Sequence, residues 1–88
     1  MYQSQTIPMH IFLEQVYKLS LIKLKNIENL NYKEKELEKS KLFNVFEQLF
    51  QSCQSAELAN IYLEIMSLLA LAEYEKIRKI ISKLVSHL

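Results

Sequence analysis

The chain contains no glycine and a single proline, Pro8, in 88 residues. That deficit constrains the fold more than any motif does. Two-residue β-hairpin turns need positive φ, which Gly, Asn and Asp supply most cheaply, and aspartate is absent as well. A sheet-rich fold would therefore lack turn chemistry, whereas helices joined by short polar links need little of it. The composition predicts an all-α chain.

At 88 residues, 50% of them apolar and 24% charged, the chain has the balance of one small soluble domain, here read as residues 1–88 with 1–7 flexible. A domain of this size buries roughly 60–70% of the surface its unfolded form exposes, so its stability margin is thin. A net charge of +1 argues against a nucleic-acid partner, which calls for a concentrated basic excess. Cys53 is the only cysteine, which excludes an internal disulfide and fits a reducing compartment; it falls in phase with an apolar helix face, as a packed thiol. The start, MYQSQTIPMH, lacks the basic-then-apolar order of an export signal. The most apolar run, residues 61–72, is too short for a membrane span and contains Glu64. A cytoplasmic location is expected, and the excess of Lys over Arg suggests an AT-rich bacterial, phage or plasmid source.

Periodicity places an antiparallel bundle of four helices at about 8–28, 32–52, 55–71 and 73–87. The first starts at Pro8, with Thr6 as its cap. It carries two adjacent apolar tracks, one of Phe12, Val16 and Leu19, the other of Leu13, Tyr17, Leu21 and Leu24. Asn31 and Glu34 have capping-box spacing at the second start. There KEKELEKSK (33–41) reads as a solvated face with Lys33–Glu36 and Lys35–Glu38 pairs. Leu42, Val45, Phe46, Leu49, Phe50 and Cys53 follow at core spacing. Ser55 is a cap for the third helix. That helix has one face of Leu58, Ile61, Tyr62, Ile65, Leu68, Leu69 and Ala72, and a second of Ala59, Leu63, Met66 and Ala70. Beyond Glu73 the pattern narrows to Tyr74, Ile77, Ile81, Leu84 and Leu88, with Glu75, Lys76, Lys79 and Lys83 outward. No Gly, Pro or Asn marks a turn at Ala72–Glu73, so three helices with one long C-terminal helix is the alternative. Compactness and ordinary helix lengths favour the turn.

The segment LALAEYEKIRKIISKL resembles the second half of a tetratricopeptide repeat, with Leu68, Ala72, Tyr74, Ile77 and Ile81 in the small and aromatic positions. Ile77 stands where that family prefers alanine, the Trp-Leu-Gly pattern is missing, and no second copy follows. The resemblance, limited to residues 68–84, implies a helical hairpin and a role like that of the small co-chaperones of type III secretion, which hold helical subunits in an apolar groove. In size, Lys-rich character and the segment LEQVYKL, the chain also resembles bacteriocin immunity proteins, four-helix bundles that neutralise a toxin.

Catalytic and metal chemistry have no motif to rest on. His10 and His87 lie at opposite ends, no His-x-x-x-His or Cys-x-x-Cys spacing occurs, and a phosphate loop is excluded by the lack of glycine. Pairing of Cys53 with a histidine, or a cluster of Glu14, Glu47 and Glu64, would require convergence in space; packing and surface ion pairs account for those residues more simply. QSAELANIYLEIMS (54–67) has a helix-turn-helix cadence, yet Leu63, Glu64 and Ile65 fill the turn and LLALAEYEK has few groups that reach bases. No enzyme, cofactor, metal or nucleic acid is expected.

What the sequence does carry is surplus apolar helical surface. Either the third helix is central to its own bundle, or a face of Tyr62, Leu63, Met66 and Ala70, extended by Tyr74, holds an amphipathic helix of a partner or forms a homodimer seam. The expected function is a non-catalytic protein-binding module, a small helical chaperone or adaptor. A toxin-immunity protein and a phage or plasmid regulator acting as a homodimer are the alternatives.

Overall fold

The computed structural model describes residues 8–88, and among these every regular element is a helix: α1 (Met9–Ile27), α2 (Tyr32–Ser52), α3 (Ala56–Ala70) and α4 (Tyr74–Ser86). The expected bounds hold to within a residue or two. The expected flexibility of residues 1–7 and the Thr6 cap lie outside the described residues; Pro8 itself occupies the cap position of α1, with no side-chain hydrogen bond. The short links Glu28–Asn31, Cys53–Ser55 and Leu71–Glu73 make sequential neighbours antiparallel.

Each start has a local cause. Asn31 accepts the Glu34 backbone N–H at 2.8 Å, and Ser55 accepts that of Leu58 at 3.2 Å, satisfying otherwise orphaned donors. The disputed turn is real. At the end of α3 the Glu73 N–H reaches the Leu68 carbonyl at 2.9 Å and the Ala72 N–H that of Leu69 at 3.0 Å, the paired bonds of a Schellman stop. That stop requires a left-handed residue, and Ala72 takes it with φ 58°. A Cβ-bearing residue stands where glycine would be strain-free.

The helices close a ring in which α1 touches α2 and α4, and α3 touches α2 and α4; α2–α3 is the most extensive pair and α1–α2 the slightest. The core runs through the ring: Tyr17, Leu24 and Ile27 of α1, Leu42 and Phe46 of α2, Tyr62, Ile65, Met66 and Leu69 of α3, and Tyr74, Ile77 and Ile81 of α4. Across the diagonal, the Tyr17 and Tyr62 hydroxyls meet at 2.5 Å, each side chain 1% exposed. Phe46 packs on Tyr62 with ring centroids 6.0 Å apart. Burial raises the pKa of both hydroxyls; the mutual hydrogen bond works against this at Tyr17 and adds to it at Tyr62, and the Cys53 thiol nearby raises both.

Several expectations need correction. Val45 does not join the core of α2 but is 38% exposed, because it lies at the edge of the buried stripe that passes through Leu42 and Phe46. The charged segment is solvated, but Glu36 pairs with Lys39, and Glu38 pairs with Lys41 and with Lys23 of α1. The hydrogen bond from Lys23 is the main cause that lowers the Glu38 pKa. Ala72 serves the turn and is exposed rather than packed.

Candidate functional site

The five residues expected to form a docking face on and after the third helix are not brought to one surface. Tyr62, Met66 and Tyr74 are interior, at 1%, 7% and 6% exposure, while Leu63 and Ala70 are exposed. The physical reason is that α3 is enclosed by α2 and α4, and Tyr62 reaches to α1. Its first face and Met66 of its second are spent on its own bundle. Leu63 and Ala70 of the second face remain wet.

Exposed apolar side chains also occur at Leu37, Phe43 and Val45 of α2 and at Leu71 after α3, but the broadest stripe of them is on α1. Of the two tracks on that helix, the one holding Tyr17 and Leu24 turns inward, with Leu13 and Leu21 against the core. Of the other track, Phe12 and Leu19 are 44% and 60% exposed while Val16 is half-buried, and Ile11 and Ile22, which belong to neither track, are 38% and 57% exposed beside them. At 100° per residue these four span about a quarter of the circumference of α1, with Phe12 and Leu19 on the flank adjoining Ile11 and Ile22, which stand opposite the buried Ser20, Leu24 and Ile27. Ser20 is satisfied there through a 2.8 Å bond to the Val16 carbonyl. The stripe is flanked by Glu14 and Lys18, paired at 3.0 Å, and by Lys23, held to Glu38 at 3.2 Å. The double track signalled only the Phe12–Leu19 part of it; Ile11 and Ile22 fall outside both tracks, and their apolar character at positions eleven apart was the remaining signal.

Two open clefts flank the start of α1. One, of about 570 Å³, lies between α1, the start of α3 and the end of α4, with Leu13, Leu58, Ile61 and Leu84 in its walls and Glu57, Glu64, Lys83 and His87 at its rim. The other, of about 580 Å³, lies between Met9 and Phe12 of α1, Leu49 of α2 and the Cys53–Ser55 link, and so continues the outer stripe inward. Both have mostly apolar walls, suited to side chains of a partner rather than to bond-making chemistry.

The polar candidates do not converge. The Cys53 thiol donates to the Ser55 carbonyl at 3.1 Å, and the His87 ring donates from Nδ1 to the Lys83 carbonyl at 2.7 Å. Glu14, Glu47 and Glu64 stand on three different helices. Among the described residues no three His, Cys, Asp or Glu side chains gather as a metal site would require, and no helix is long and apolar enough to cross a membrane. α3 continues unbroken through Leu63, Glu64 and Ile65, so the helix-turn-helix cadence of the sequence has no turn. Comparison with protein-family models, curated proteins and solved structures returns no match.

Proposed function

We propose that this chain is a non-catalytic protein-binding module that docks an amphipathic helix along the outer side of α1, as a small adaptor or chaperone does. One observation carries the reading: four large apolar side chains of α1 stand 38–60% exposed on a helix whose opposite side already fills the core. Several such residues exposed on one side of a helix and rimmed by charge are a mark of an interaction surface. Ile11, Leu19 and Ile22 would receive the partner's apolar side chains, and the cleft beside Phe12 would take a large one. Within this class, the resemblance of residues 68–84 to half a tetratricopeptide repeat favours a chaperone with a helical client. The α3–α4 hairpin would then act as scaffold rather than as groove.

The test is a photo-crosslinker at Gln15, an exposed residue in the middle of the stripe. In cells that naturally make the protein, the reading predicts a discrete protein adduct that disappears when Leu19→Asp is added. Absence of any adduct, or one indifferent to Leu19→Asp, would refute it.

A further inference from the structure

The outer stripe of α1 has a charge pattern that matches itself, and from it we infer that its occupant is α1 of a second copy, laid antiparallel across a two-fold axis near Val16. This rests on the reading of that stripe as a docking surface and names the partner. Ile11, Gln15, Lys18 and Ile22 follow one another down the outward side at spacings of four, three and four, with Phe12 and Leu19 alongside on one flank and Glu14 on the other. A two-fold pairing of antiparallel helices brings like flank to like flank, so residues whose numbers sum to a constant face one another. Sums near 32 place Ile11 against Ile22 of the second copy, Phe12 against Leu19, and Glu14 against Lys18, each twice by symmetry.

Nothing else in the stripe favours another arrangement. A parallel pairing brings unlike flanks together, setting Glu14 against the Phe12–Leu19 flank of the second copy and leaving its charge without an opposite partner. In the isolated chain Glu14 and Lys18 are bonded only to each other at 3.0 Å, with side chains 42% and 59% exposed, so exchanging this internal pair for two intermolecular ones costs little. Ile11 and Ile22 lie opposite the core and Phe12 and Leu19 on the adjoining flank, all exposed, so two copies approach without disturbing the bundle.

Sedimentation over a hundredfold dilution range decides the matter. The wild-type chain is expected to dissociate reversibly from dimer to monomer. Leu19→Asp, at a position 60% exposed, should be monomeric with unchanged helical circular dichroism. Glu14→Lys and Lys18→Glu should each weaken the dimer by roughly tenfold or more through like-charge contacts. An equimolar mixture of those two variants should associate more tightly than either alone, because each then meets its opposite. A wild-type chain that is monomeric throughout, a dimer insensitive to Leu19→Asp, or a mixture no tighter than its components would overturn the inference. If the wild type is monomeric while the Gln15 crosslinker still captures a different protein, the second copy is excluded as occupant and the docking reading stands. If it is monomeric and captures nothing, both fall.

Discussion

Replacing Tyr62 with Phe removes one hydroxyl from a pair sealed away from water. Both tyrosines are 1% exposed, their oxygens lie 2.5 Å apart, and no buried side-chain polar atom among the described residues lacks a partner. The substitution therefore leaves the Tyr17 hydroxyl buried with nothing to bond, at a cost of about 1–3 kcal/mol. Tyr17→Phe orphans Tyr62 in the same way and costs a similar amount. Changing both leaves no orphan, and the double variant should lie within about 1 kcal/mol of wild type. The two single losses together will then exceed the double loss by about 1 kcal/mol or more, a coupling above measurement error. In a domain of this size the single variants should melt roughly 5–15 °C lower. The assay is urea unfolding of the four proteins at one concentration, followed by circular dichroism. Additive losses, or single variants as stable as wild type, would refute the account of the pair as a mutually satisfied buried contact.

The same pair predicts alkaline sensitivity. Burial holds both hydroxyl pKa values above the ordinary 10.0, so above about pH 10 the unfolded chain releases these protons while the folded chain retains them. Stability is complete below that pH and falls as pH rises; a urea midpoint that is flat from about pH 9 to 11 would contradict this. Ala72→Gly should stabilise the fold by about 0.5–1 kcal/mol, since Ala72 holds φ 58° at the stop of α3, and a lower melting temperature would count against the left-handed turn. Met66→Lys places a charge at a position 7% exposed between α3 and its neighbours, so loss of folded circular dichroism is expected, whereas a well-folded variant would show that Met66 faces outward.

Much of this architecture is visible in the residue pattern. The missing glycines exclude sheet, Asn31 and Ser55 mark two helix starts by side chains that do cap them, and the narrow stripe of Tyr74, Ile77 and Ile81 is the buried side of α4. The turn at Ala72 was legible only indirectly, because alanine has no preference for the conformation it adopts there; backbone bonds from Glu73 and Ala72 impose it. Which apolar face is covered was not legible at all. Periodicity reports that a helix has two apolar sides, but coverage is decided by neighbours. α3 gains them on both flanks, while α1 leans chiefly on α4 and only slightly on α2. The broadest exposed stripe accordingly falls on α1, two helices away in the chain from where the apolar count was highest.

The unequal grip on α1 has a kinetic consequence. The α2–α3 and α3–α4 pairs form across short links, whereas the α1–α4 seam joins segments from the two ends of the chain, and closing such a long loop is slow relative to local pairing. α2, α3 and α4 should thus assemble first and α1 seat last, with Tyr17 completing the diagonal as it arrives. During that interval a helix greasy on both sides is in water. Amide exchange should report the reverse event, α1 releasing as one unit at lower free energy than α3.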